Sequence, residues 1–168
     1  MATETARELE AKSDAAWKNL TAQVAGMEPY LERSDAPGEW TAREVLSHLL
    51  GDPGWKLATL LASFAGQNLP VIDIAPGETF LTPERRGMTL KQLVDALAAQ
   101  RGEVFGYLRG LSDADLGRKA RIPLFKSFMG TDEIPVPMFV AALFDYHIHD
   151  HAGQLAKIRK AVGLPAAG

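Results

Sequence analysis

Four histidines stand in this chain, at positions 48, 147, 149 and 151. His147 and His151 are four residues apart, so on a helix both side chains leave the same face, one above the other. His149 lies about 200° around that helix from His147 and should face away. His48 is far upstream, between Val45 and Leu49, on the side of its segment that apolar residues mark as inward. Three neutral imidazoles aimed at one point suit a divalent cation at about 2.0–2.1 Å from each nitrogen. They leave a position open for water or substrate, as a catalytic site requires and a closed structural site does not. Zinc, nickel and iron are all compatible with such a ligand set. The same residues allow two other readings, hydrogen-bonded core histidines and acid–base chemistry without a metal.

Several neighbours have roles to assign. Asp52 follows His48 by one helical turn, placed to orient a ligand histidine or receive a proton, or simply to end the first half of its helix. Gln154 follows His151 by one turn, in reach of that imidazole or of a polar substrate group, or else at the helix edge. Glu44 is better explained as part of a helix cap, and Tyr146 is displaced around the helix from its neighbour His147. Arg118, Lys119, Arg121 and Lys126 form a local basic cluster, a solvated loop or a contact for an anionic ligand.

Composition narrows the chemistry. With 168 residues, 46% apolar, 23% charged and a formal net charge of -3, the chain reads as one soluble domain spanning 1–168. It contains no cysteine, which removes disulfides, cysteine-ligated zinc, iron–sulfur centres and a protein thiolate nucleophile. Any thiol chemistry therefore needs a thiol cosubstrate. Mild acidity argues against nucleic acid as a partner. No apolar run is long enough to span a bilayer, and the acidic, alanine-rich start lacks the pattern of a secretory signal, so a cytoplasmic location is the expectation.

Positioning the imidazoles falls to long amphipathic segments. Apolar residues recurring by threes and fours predict helices over 5–33, 41–66, 89–109 and 137–162. Thr5 with Glu8, Thr41 with Glu44, and Thr89 with Gln92 have capping-box spacing, and Pro137 suits a first helical turn. Gly51-Asp52-Pro53-Gly54 should kink or briefly break the second helix. Residues 67–87 show no sustained period and form a long connection, with Val71 to Ile74 as a short extended piece. Residues 122–130 are apolar but unsuited to a continuous helix, and should fold over one end of the bundle as a flap that excludes water. With almost no credible strand pattern, the expectation is an all-α four-helix bundle with a crossover between helices two and three.

The stretches Trp40-Thr41-Ala42-Arg43-Glu44-Val45-Leu46-Ser47-His48-Leu49 and His147-Ile148-His149-Asp150-His151-Ala152-Gly153-Gln154-Leu155 strongly resemble the DinB and YfiT-like superfamily of four-helix metalloproteins. The resemblance covers nearly the whole helix order. It implies that His48, His147 and His151 hold a metal, with Gln154 completing the HxxxHxxQ element. Pro37-Gly38-Glu39-Trp40-Thr41 looks similar to the branch containing mycothiol-dependent maleylpyruvate isomerases and thiol S-transferases. That narrower likeness implies a metal-dependent small-thiol S-transferase or isomerase acting on a small electrophile. Asp52 and Gln154, each one turn from a histidine, are the candidate catalytic residues, and the resemblance to the superfamily suggests a homodimer. A metal-dependent hydrolase and a noncatalytic stress-related or self-protection ligand-binding protein are the alternatives.

Overall fold

The structure, a computed structural model, describes residues 1–66 and 68–168; Gln67, at the start of the expected long connection, lies outside the described residues. Helix α1 covers Glu4–Val24, and the side chain of Thr3 caps it by accepting from the amide of Ala6 at 3.1 Å. The cap is thus Thr3, two residues ahead of the Thr5–Glu8 spacing. The helix also stops well short of residue 33. Gly26 takes a φ of 79°, and Glu28–Tyr30 form a 3-10 turn containing Pro29, which has no amide proton to continue an α ladder. Leu31 is still buried, so the apolar spacing runs past the helix end and conceals it.

Helix α2 spans Ala42–Leu50 and starts on a complete capping box: Thr41 N donates to Glu44 Oε2 at 2.8 Å, and Glu44 N donates to Thr41 Oγ1 at 3.2 Å. It ends at Gly51, whose φ of 75° is readily available only to glycine. Helix α3, Leu57–Gly66, resumes after the turn, so of the kink or brief break expected at Gly51-Asp52-Pro53-Gly54 within 41–66 the structure has the break. A short α4, Pro83–Gly87, precedes α5, Leu90–Leu108, which opens on a second capping box, Thr89 with Gln92. After the single turn α6, Asp113–Leu116, comes a feature the sequence pattern hid. Strands β1, Lys119–Arg121, and β2, Glu133–Pro135, pair antiparallel with Ala120 opposite Ile134, both fully buried. Three-residue strands are too short to show a two-residue period. Val71 bridges Arg121 in parallel, and Ile72 N donates to Arg121 O at 2.9 Å, which anchors the long connection to the hairpin.

Between the strands, a 3-10 turn at Pro123–Phe125 and helix α7, Lys126–Met129, form the flap, closed by Gly130 in the left-handed conformation. The last long rod has three parts: α8, Val136–Ala141, a π-helical turn, Ala142–Tyr146, and α9, His147–Ala161. It ends at Gly163, with φ of 81°, two residues before Pro165.

Four rods form the bundle. Helix α1 packs on the α8–α9 rod and on α5, while α2 packs on α5 and α9, and α3 on α5. The crossover, described over 68–89, is thus what lets sequential rods lie side by side. Two apolar clusters fill the interior. One is built on Leu20, Met27, Leu46, Leu93 and Leu155, the other on Phe64, Phe105, Ile122, Ile134 and Phe139 beneath the hairpin and flap. Leu49 and Ile148 belong to the first and Phe144 to the second, so His48 and His147 fall at the seam between them.

Candidate metal centre

His48 is held in the last turn of α2, whose direction the Thr41–Glu44 box sets from the start. His147 is the first residue of α9, immediately after the π turn. A π turn takes one extra residue, so side chains after it are rotated relative to those before it, and such turns recur at functional sites. The consequence is visible in burial. The core stripe runs from Phe144 through Ile148 and Ala152 to Leu155, and His147 and His151 flank it, partly buried and facing α2.

His147 Nε2 lies 2.9 Å from His48 Nε2 and 3.0 Å from His151 Nε2. The other ring nitrogens define the tautomers. His48 Nδ1 is 2.5 Å from the carbonyl of Glu78, which can only accept, so Nδ1 carries the proton and Nε2 presents a lone pair. His151 Nδ1 is 2.8 Å from Gln154 Oε1 and is fixed the same way. Two lone pairs therefore converge on His147 Nε2, which has at most one proton to offer. A divalent cation satisfies all three nitrogens together. At about 2.0–2.1 Å from each, it would space them by roughly 2.9–3.4 Å for angles between about 90° and 110°. The donor set fits a metal.

Burial, reinforced by the charges His151 and His48 would carry, lowers the His147 pKa to about 3. Burial also lowers that of His151, against the raising effect of its bond to Gln154. Both imidazoles are thus neutral, as ligands must be, around neutral pH. A stability consequence follows for the metal-free protein. Between the unfolded value, about 6.5, and the folded one, the unfolded chain binds a proton that folded His147 excludes, so stability falls as pH falls through that window. The loss from His147 alone should approach about 4–5 kcal/mol near pH 3. Urea unfolding of the chelated protein and of His147→Leu from pH 7.5 to 3 isolates it: the leucine variant should lose less stability on acidification, and equal slopes would refute the assignment.

Residues 5–155 match the DinB superfamily. The chain belongs to that superfamily. Among solved structures it is similar to YfiT from Bacillus subtilis, described as a probable metal-dependent hydrolase with an unusual four-helix bundle topology. The TM-score is 0.73 at 18% identity, over 98% of this chain and 91% of the other, a likeness of fold. No curated protein matches the sequence.

Aromatic rings wall the site of this DinB-superfamily protein. The Trp40 ring lies 4.9 Å from that of His48 and is stacked 6.3 Å from that of His151, while the Phe80 ring is stacked 6.3 Å from that of His48. Phe80 has a φ of 55°, strained for a bulky residue. Arg85 holds it there. Its Nη1 is within reach of the carbonyls of Phe80 at 3.1 Å, Ser47 at 3.1 Å and Gly51 at 2.6 Å, tying the crossover to the end of α2. Arg43, buried under α4, donates in turn to the carbonyls of Arg85 and Met88. Neither arginine was singled out from sequence. Arg43 interrupts the apolar side of α2, a signal that a buried cation must be tying up backbone oxygens, whereas Arg85 stands among polar neighbours in Pro83–Gly87 and has no such signal.

The other expected residues separate clearly. Gln154 joins the imidazoles, whereas Asp52 closes the turn after α2 by accepting from Gly54 N at 2.7 Å and acts on Arg85 through its charge. Glu44 is occupied in the cap. His149 faces outward to Asn19 and Asp145, as its helical angle requires. The basic cluster is spread over structural contacts: Arg118 donates to the carbonyl of Ala65, and Arg121 pairs with Asp132 and Glu133. A cavity of about 630 Å³ opens beside His48 and His147, walled by Ile74, Leu143 and the flap. Tyr146 and Asp150 also line it. Tyr146, displaced around a regular helix from His147, lies within the π turn, and Asp150 stands one helical turn after His147.

Proposed function

We propose that this protein is a metal-dependent hydrolase of a small substrate, with His48, His147 and His151 as the metal ligands. The observation that carries the reading is the convergence of three Nε2 atoms at the edge of a cavity large enough for a small molecule. The likeness to YfiT, itself described as a probable metal-dependent hydrolase, supports the same reading. A divalent cation held by these rings supplies Lewis acidity, polarising a carbonyl or phosphoryl oxygen and acidifying water near neutral pH.

The chain's own residues do the rest. The Glu78 carbonyl and the Gln154 amide oxygen hold two imidazoles in the tautomer that presents Nε2. Trp40 and Phe80 restrict ring rotation at His48. Phe125, Phe128 and Met129 of the flap cover part of the cavity and limit bulk water around the substrate.

Protein loaded separately with zinc, nickel or iron(II) should cleave members of an ester and amide panel without added thiol, and product formed in ¹⁸O-labelled water should carry the label. Thiol S-transfer or isomerisation is the competing reading of the same site. Turnover that requires an added small thiol and leaves the label in solvent would replace hydrolysis with it.

A further inference from the structure

The large cavity has an inner end and a mouth with different chemistry. Its inner end is set by His48 and His147, and apolar side chains such as Ile74 and Leu143 form the wall. At the mouth stand Phe128, 64% exposed, Tyr146, 67% exposed, and Asp150. No lysine or arginine is among the described lining residues, and Asp150 is the sole carboxylate there. Among the described residues no hydrogen bond or ion pair occupies that carboxylate, in contrast to Asp145 on the preceding turn, which is paired with His149. Two aromatic faces and an unengaged carboxylate around an apolar channel are the elements that recognise an organic cation.

We propose that the cavity selects substrates with an apolar body and a cationic group, an alkylammonium, seated at the mouth between Asp150, Tyr146 and Phe128. This rests on the hydrolase reading for what happens at the inner end, where the electron-rich ester or amide oxygen would point. The polarity then runs along the cavity: negative and aromatic at the mouth, electron-accepting at the inner end where the three imidazoles would hold a divalent cation. A substrate anionic at its outer end finds no counter-charge there and meets Asp150.

Binding of three uncomplicated probes tests the selection without any turnover. Benzyltrimethylammonium, benzyl alcohol and phenylmethanesulfonate share one ring, differ in charge and are poor metal ligands; calorimetric titration of the metal-loaded protein ranks them. The cation should bind about tenfold more tightly than the sulfonate, with the alcohol between, and its affinity should fall on raising salt. Asp150→Asn, titrated at full metal loading, should weaken the cation roughly three- to fivefold while leaving the alcohol unchanged. Tyr146→Leu should weaken the cation by a similar factor. Failure of all three probes to bind, equal affinity for cation and sulfonate, or no effect of Asp150→Asn overturns the proposal. If instead the probes sort by charge in a protein that cleaves no ester or amide, the hydrolase reading falls and the selectivity stands.

Discussion

Replacing His147 with alanine is expected to weaken divalent-metal binding by at least about a thousandfold and to remove metal-dependent turnover. The estimate starts from geometry. His147 Nε2 lies 2.9 Å from one partner nitrogen and 3.0 Å from the other, so its removal leaves two imidazoles, His48 and His151, in place of three. Loss of an outer-shell partner typically costs 10–100-fold in affinity, and loss of a direct ligand from a three-nitrogen set should exceed that. Gln154→Leu supplies the internal scale. It leaves three imidazoles but frees the tautomer and orientation of His151, and should weaken binding by about 10–100-fold. Competition with a chromophoric chelator measures both, and circular dichroism checks the fold. The alanine variant should stay folded, because His147 lies at the seam between the two apolar clusters and contributes to neither. Metal affinity unchanged in His147→Ala would end the case for this centre.

Much of that centre was legible in the sequence because its signals are local. The Thr41–Glu44 box, the spacing of His147 and His151 and the glutamine one turn later each depend on residues within a turn or two, where helical geometry is fixed. The bundle was legible for the same reason. What escaped depends on backbone that departs from regular periods. The π turn at Ala142–Tyr146 has no composition of its own, yet it moves Tyr146 to the cavity and shifts the core stripe onto Ile148 and Ala152. The hairpin is too short for alternation to register, and its pairing is nonlocal. For Asp52 spacing alone left two roles open, and the backbone at Gly51 decides where it stands: the helix ends there and Asp52 accepts from Gly54 N in the turn that follows. The crossover gave no periodic signal, although it supplies the Glu78 carbonyl that fixes His48 and the Phe80 ring beside it.

That dependence on the crossover makes Arg85 the residue whose loss should reach the metal from farthest away. Arg85→Met removes the donor shared by the carbonyls of Ser47, Gly51 and Phe80 while keeping much of the side-chain volume. Burial already lowers its pKa, with Asp52 and Glu84 opposing that shift, so the cation is partly desolvated and retained by its acceptors. Leaving several of them unpaired should destabilise the fold by about 3 kcal/mol. The strained backbone at Phe80 should then relax, carrying the Glu78 carbonyl two residues away with it, and His48 would lose its orienting partner. Metal affinity is expected to fall about tenfold as a result. Arg85→Lys keeps the charge but cannot spread its donors over the same span, so it should recover part of the stability and little of the affinity. Denaturation curves and metal competition on both variants distinguish the two links. Lower stability with unaltered metal affinity would mean that Arg85 secures the end of α2 and that Glu78 holds His48 without it.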